Sequence, residues 1–380
     1  MENVKSIFIS GDYAPINRIR KMSVEGRHSE IFGDILPVIK DADFSITNLE
    51  CPLTDTIVPI DKTGPALSAS PECINSLAFA GFDLVTLANN HILDQGYNGL
   101  KDTLDICQRN SIETVGAGLT KENACKVFYV SLDNTKIAFI AIAENEWSTI
   151  GYYDYGANAL DPVDNYYAIV EAKKNADIVI VMAHGGHEMY QLPTIRMQKT
   201  YRFFIDIGAD FVIGHHTHCV SGYENYKNKT IIYSLGNFVF DLGIMSSIWH
   251  LGMAVLIKIT ENKTDFELIP FRQNGEKAGI EILKRKEKND FFLMLNDLNN
   301  KINNHLLEDE FEQFCKTQTK RYKSHLEPYN SKYIHFLRNR GLIPSCLKKS
   351  KKLILENIIR CESHREIIVH ILNNENKRLS

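Results

Sequence analysis

The segment Phe211-Val-Ile-Gly-His-His-Thr-His218 decides how this chain reads. Three apolar residues make a short buried strand. A glycine ends it, and three imidazoles follow within four positions. Imidazoles at that density bring no packing advantage. Alternate residues of an extended strand face the same way, so His216 and His218 are expected to turn together toward a metal cluster. Working outward, five more strand ends repeat the pattern. The strand at 4–10 runs into Gly11-Asp12, and that at 44–48 into Asn48-Leu49-Glu50. The strand at 84–88 leads to Asn89-Asn90-His91, with Asp94 three residues on. The strand at 178–183 ends in His184-Gly185-Gly186-His187-Glu188, and that at 230–235 in Gly236-Asn237, with Asp241 soon after. Ligands of α/β folds bind beyond the carboxyl ends of strands.

Each piece alone has a plainer explanation. Gly-Asp after a strand is a turn, Asn-Asn-His a helix-capping loop, and a single histidine a hydrogen-bonded core residue. Independent turns have no reason to favour metal-ligand residue types, so the joint pattern argues for one site. Carboxylate oxygen with imidazole nitrogen suits borderline divalent ions: Mn, Fe, Co or Zn. No cysteine stands in these motifs, which argues against a structural zinc site. Two such ions, about 3.5–4 Å apart, can bind a phosphoryl group and activate water.

The rest of the chain sets the frame. It has 380 residues, 44% hydrophobic and 24% charged, ordinary for a soluble globular protein. Apolar runs at 127–132, 136–143, 253–260 and 266–271 complete the strand set. Helical stretches at 71–80, 97–109, 164–175 and 194–207 lie between strands, which predicts α/β layers. Asp133-Asn134 and Glu261-Asn262 read as hairpin turns, so the sheets are expected to be mixed. Eight scattered cysteines without a CxxC pair read as free buried thiols. The N-terminal apolar run is too short for a signal peptide and no later run is long enough to span a bilayer. The expected location is therefore cytoplasmic.

After about Arg272 the texture changes to Lys, Asn, Leu and Glu. Helices are expected at 291–304, 308–323, 331–338, 347–360 and 364–373, with a domain boundary between 274 and 275. The final hundred residues carry a basic excess and the remainder an acidic one. Lys348, Lys349, Lys351 and Lys352 beside Leu347, Leu353, Ile354 and Leu355 suggest an amphipathic helix for a membrane surface or a protein partner. Plain helical packing is the competing reading. No nucleic-acid motif accompanies the charge, which disfavours that partner.

At these residues the chain resembles the CapA family of capsule and poly-γ-glutamate biosynthesis proteins, a branch of the calcineurin-like metallophosphoesterases. The matching stretches, in the family's order, include NLECPLT at 48–54, LANNHILDQG at 87–96, HGGHEMY at 184–190, IDIGADFVIGHHTH at 205–218 and IIYSLGNFVFD at 231–241. The resemblance covers roughly residues 4–272. It implies a four-layer α/β/β/α metallophosphatase-like sandwich with a C-terminal helical region at 275–380. It also implies two divalent ions, with Asp12 and His218 on the first, Asn90, His184 and His216 on the second, and Glu50 bridging. His91 becomes the general acid and Asp94 its orienting carboxylate, while His215, His187, Glu188 and Asn237 line the substrate side. The implied partner is an anionic polymer or a phosphorylated substrate. Two departures stand out: Ala14 replaces the usual histidine two residues after Asp12, and Glu50 replaces the usual bridging aspartate. They open an alternative, a metal-dependent polymer-binding or assembly factor that does not hydrolyse.

Overall fold

The structure is a computed structural model. It describes residues 4–345 apart from 63, 152, 244, 262 and 327–330, together with 347, 348 and 355. Sixteen strands are described. In order they are β1 Lys5–Ala14, β2 Phe44–Leu49, β3 Leu84–Thr86, β4 Glu113–Val115, β5 Ala117–Gly118, β6 Phe128–Leu132, β7 Thr135–Ala143 and β8 Gly156–Ala157. Then come β9 Ile178–His184, β10 Phe211–His215, β11 Tyr223–Tyr226, β12 Lys229–Ile232, β13 Asn237–Phe240, β14 Leu251–Ile259, β15 Thr264–Gln273 and β16 Ile280–Ile282. The helices are α1 Asn17–Val24, α2 His28–Phe32, α3 Leu36–Asp41, α4 Ile74–Ala80, α5 Gly96–Arg109 and α6 Lys121–Ala124. They continue with α7 Pro162–Asn175, α8 Ile195–Asp206, α9 Arg285–Asn303, α10 Leu307–Leu326 and α11 Lys332–Asn339.

Two mixed sheets form the middle layers. The first has the order β16-β15-β14-β1-β2-β3-β4, and β13 also pairs with β1. The second has the order β11-β12-β10-β9-β7-β6. The site-bearing strands are parallel in both: β1, β2 and β3 in one, β9 and β10 in the other. Their carboxyl ends therefore share a side in each sheet. The hairpins β6–β7 and β14–β15 are antiparallel, as their turn residues predict. The sheets face each other, with Phe44 of β2 stacked on Phe139 of β7 at 5.7 Å. Phe32 of α2 packs on Tyr13 outside the first sheet, and α7 and α8 cover the second. The result is the α/β/β/α sandwich. All seven residues of β9 are buried, as expected of a strand covered on both faces. A buried Ile or Phe contributes about 1.5–3 kcal/mol. A core this extensive tolerates local cost at the site.

The chain passes from the second sheet to the first through residues 233–236, and two glycines make room for it. A β-carbon on Gly214 would sit 2.0 Å from the Tyr233 carbonyl oxygen, and one on Gly11 would sit 1.9 Å from that of Gly236. Without side chains there, Leu235 N donates to Gly214 O at 3.1 Å and Asp12 N to Gly236 O at 3.2 Å. Asn237 thereby opens β13 beside Asp12. By sequence, Gly236-Asn237 reads as the end of the preceding strand. In the structure β12 stops at Ile232, and Asn237 belongs to the other sheet.

The first compact unit extends further than the expected boundary near 275. It covers Met1–Glu308, and a second unit covers Asp309–Ser380. Two features carry the first unit onward. Strand β16 pairs with β15, and α9 buries a stripe of Phe291, Leu295, Leu298 and Ile302 at helical spacing. The Asn299 side chain also accepts from Tyr223 N of the edge strand at 2.7 Å. In the second unit α10 and α11 lie where helices were expected. The expected helices at 347–360 and 364–373 lie almost wholly outside the described residues, as does the lysine-rich amphipathic stretch. Among the described residues Cys51, Cys73, Cys107, Cys125, Cys219 and Cys315 are free thiols. No described helix is long and apolar enough to cross a membrane.

Candidate metal centre

Five strands deliver the six residues of the cluster. Asp12 comes from β1, Glu50 from just past β2, and Asn90 from the loop after β3. His184 is the last residue of β9, while His216 and His218 follow β10. All six are buried. Their donor atoms form two groups that can hold a metal ion: Glu50, His184 and His216 in one, and Asp12, Glu50 and His218 in the other. Glu50 belongs to both.

At the second position, His184 Nε2 is the hub. It lies 3.0 Å from Asn90 Oδ1, 3.1 Å from His216 Nδ1 and 3.5 Å from Glu50 Oε1. Ligand atoms about 2.1 Å from an ion stand about 3 Å apart along the edges of its octahedron. A single proton on His184 can satisfy only one of these three neighbours, whereas an ion among them satisfies all four atoms.

At the first position, His218 Nδ1 lies 3.6 Å from Asp12 Oδ2, and His218 Nε2 lies 3.7 Å from Glu50 Oε1. Asn237 Oδ1 accepts from His218 Nδ1 at 3.0 Å, which leaves Nε2 with its lone pair free. The Asn237 amide is fixed in turn by the carbonyls of His218 and Trp249, both at 3.2 Å. Asn237 thus holds a ligand and does not line the mouth. The His218 ring packs between Trp249 and Phe240, at 5.0 and 5.1 Å. Ala14 is buried and offers no donor atom, so this position has one side-chain ligand fewer than the second.

The decisive observation on fit is Glu50. Both carboxylate oxygens are buried and neither has a hydrogen-bond partner. A buried carboxylate left bare is costly. Burial first, and then the charge of Asp12, push its pKa well above the usual carboxylate range. Burial pushes the histidines the other way. His184 falls well below its ordinary value, with His216 adding to the effect, and His218 is pushed down to about 4. Neutral imidazoles around a bare carboxylate form a donor set prepared for a divalent cation.

A second tier of residues orients the first. Asn48 Nδ2 donates to Asp12 Oδ1 at 2.8 Å, and its Oδ1 accepts from Thr86 Oγ1 and Asn89 Nδ2. His91 Nδ1 lies 2.5 Å from Asp94 Oδ2. That contact puts the proton on Nδ1 and leaves Nε2 for chemistry. A residue the sequence reading missed joins them. Lys62 is only 4% exposed at its side chain, and its Nζ lies 2.5 Å from Asp94 Oδ1. Lys62 stands in a loop far from any strand end, so strand-end reasoning had no handle on it.

The remaining candidates separate. His215 is buried between the sheets, where its Nε2 reaches the Ser10 carbonyl at 3.3 Å. It ties β10 to β1 beneath the cluster. Glu188 is exposed, and its charge acts on Glu50 and His218. His187 is partly buried on the same loop, which Met189 N anchors to Thr217 O at 2.8 Å. His216 and His218 do meet the cluster, though not by strand alternation. β10 ends at His215, and both residues adopt left-handed conformations, with φ of 87° and 54°. A second missed residue is Glu146, beyond β7, whose carboxylate lies 3.6 Å from His216 Nε2.

Residues 6–242 match the profile of a family described as the bacterial capsule synthesis protein PGA_cap. The chain is 32% identical over 247 residues to the PGA biosynthesis protein CapA of Bacillus subtilis (strain 168), covering 64% of this chain and 65% of that protein. It is 32% identical over 230 residues to the capsule biosynthesis protein CapA of Bacillus anthracis, covering 56% and 54%. A probable polyglutamine synthesis accessory protein of Mycobacterium tuberculosis (strain CDC 1551 / Oshkosh) is 27% identical over 264 residues, covering 63% and 69%. The chain therefore spans 65% and 54% of the lengths of the two CapA relatives. The profile match takes in every strand end that carries a ligand of the cluster, and the chain belongs to the PGA_cap family of bacterial capsule synthesis proteins.

Proposed function

We propose that this protein serves the biosynthesis of a capsule or poly-γ-glutamate-type surface polymer, and that its cluster holds two divalent ions bridged by Glu50 and hydrolyses a phosphoester or related bond. The observation that carries the reading is Glu50, a bare buried carboxylate common to two groups of donor atoms. Bound ions would supply charge stabilisation for a phosphoryl group and a water activated at neutral pH. The protein's own residues do the rest. Asp12 and His218 would hold one ion, and Asn90, His184 and His216 the other. In its imidazolium form, held at Nδ1 by Asp94, His91 would give its Nε2 proton to a leaving oxygen and be left neutral. Metal analysis of purified protein, joined to a panel of phosphomonoesters and phosphodiesters, tests this. We expect two equivalents of metal and metal-dependent turnover that His91→Ala abolishes without metal loss. Well-metallated protein that cleaves nothing on the panel defeats the hydrolytic part.

Ala14 favours a second reading, in which the cluster binds metal and an anionic polymer without cleaving it. The first position then lacks a ligand needed for catalysis. Metal-dependent retention of poly-γ-glutamate with no shortened products would distinguish it from hydrolysis.

A further inference from the structure

Glu146 stands where it can orient two ligands of one ion. Its Oε2 lies 3.5 Å from Asn90 Nδ2, and its Oε1 lies 3.6 Å from His216 Nε2. Both neighbours turn their other donor atom toward His184 Nε2, Asn90 through Oδ1 and His216 through Nδ1. Each therefore presents its coordinating atom to the cluster and its spare N–H to a different oxygen of the same carboxylate. An imidazole whose remaining N–H faces a carboxylate is fixed in tautomer and becomes a better ligand. An amide whose NH₂ is held outward cannot flip its oxygen away from the ion. The two distances are longer than ordinary hydrogen bonds. The Glu146 side chain is 38% exposed, so it has room for the small rotation that closes them.

The segment around Glu146 is itself pinned to the same loop. Ser148 Oγ donates to the Asn90 carbonyl at 2.8 Å and accepts from Leu93 N at 3.1 Å. At the other end Glu144 N donates to the His184 carbonyl at 2.9 Å. The residues that flank Glu146 thus bind the backbones of two ligands, and Glu146 reaches the side chains of two.

We infer that Glu146 is a positioning residue for the second metal position, acting through Asn90 and His216 on the affinity of that ion alone. The inference rests on the two-metal reading above. It makes the two positions unequal in their support. The first is fixed by Asn48 and Asn237, neutral amides buried in the fold. The second shares Asn48, whose Nδ2 lies 3.2 Å from His184 Nδ1, and adds a charged group at the mouth.

The test is calorimetric titration of Mn²⁺ into metal-stripped, full-length protein, with Glu146→Ala and Glu146→Gln beside the wild type. The wild type should bind two equivalents. Glu146→Ala should leave one unchanged and weaken the other by roughly 10–100-fold. Glu146→Gln keeps one acceptor oxygen for two donors and should fall between them. Melting temperatures of the metal-free proteins should differ little, because the side chain is 38% exposed and its two contacts in that form are long, 3.5 and 3.6 Å. Unchanged binding in Glu146→Ala overturns the inference, and so does equal weakening of both equivalents. If Glu146→Gln matches Glu146→Ala, the effect is one of charge and the inference also fails. A wild type that binds fewer than two equivalents defeats the two-metal reading itself, before Glu146 enters.

Discussion

Lys62 Nζ and Asp94 Oδ1 form a buried ion pair at 2.5 Å, on the oxygen of Asp94 that His91 does not use. The other oxygen accepts from Leu67 N at 2.6 Å as well as from His91. One carboxylate therefore fastens a loop, a lysine and the candidate acid. Removing one partner of a buried pair leaves an uncompensated charge, at a cost of roughly 3–5 kcal/mol. Lys62→Met should lower stability by that order in urea unfolding, and Lys62→Met with Asp94→Asn should recover part of it. A single variant within 1 kcal/mol of wild type, by the same estimate, would show that the pair is not formed in solution.

Glu50→Gln should separate stability from metal binding. The change removes a buried carboxyl that the metal-free fold must protonate at neutral pH, since burial raises its pKa, so the metal-free protein should gain about 1 kcal/mol. The rise in melting temperature that Mn²⁺ gives the wild type should vanish, since both positions share this residue. Loss of only half the metal-induced rise would place Glu50 on one ion and rule out the bridge.

The metal-free protein should lose stability as pH falls from 6.5 toward about 4. His184, His215, His187 and His218 all have lowered values, chiefly through burial, and His218 sits at about 4. Below 6.5 the unfolded chain takes up protons that the folded imidazoles refuse, which favours unfolding. Glu50 works in the opposite sense, because its raised value makes the folded state bind a proton the unfolded state has released. Four histidines against two carboxyls, Glu50 and Asp83, whose value burial also raises, should leave a net loss on acidification. Melting temperatures across this range give the sign, and a flat or rising profile would contradict the burial of the imidazoles.

Gly214→Ala should prevent folding or cost at least about 4 kcal/mol. The new methyl would meet the Tyr233 carbonyl at 2.0 Å, and that atom is backbone in a strand connection and cannot swing aside. Gly26→Ala is the control. Its surroundings are open, and only its φ of 73° brings strain. Soluble expression and circular dichroism of both variants should show a large difference.

Much of the site was legible because it lies where strands stop. Asp12, Glu50, Asn90, His184, His216 and His218 follow apolar runs whose burial marks them as strands, and their residue types do not suit turns by accident. The layered architecture followed from the same alternation. Lys62 and Glu146 were not legible, since each reaches the cluster from a loop whose path is set by distant contacts. Lys62 depends on Asp94, and the Glu146 segment on hydrogen bonds to Asn90 and Leu93. The short strands Glu113–Val115 and Tyr223–Tyr226 were missed for a related reason. Three or four residues carry too little periodicity, and pairing with a neighbour decides them. The boundary near 275 misjudged α9, whose polar surface hides a single apolar stripe.

The crossing between Tyr233 and Gly236 has a consequence for how the protein is made. Asp12, Glu50 and Asn90 lie within the first hundred residues, and His184, His216 and His218 are translated only later. The two sets stand on different sheets, brought together where the chain threads past Gly214 and Gly11. A nascent chain that ends before this passage already carries all six residues of the cluster but lacks Asn237, which holds His218 beside Asp12. Stable capture of an ion at the first position would therefore report that the crossing has formed and seated Asn237 against His218.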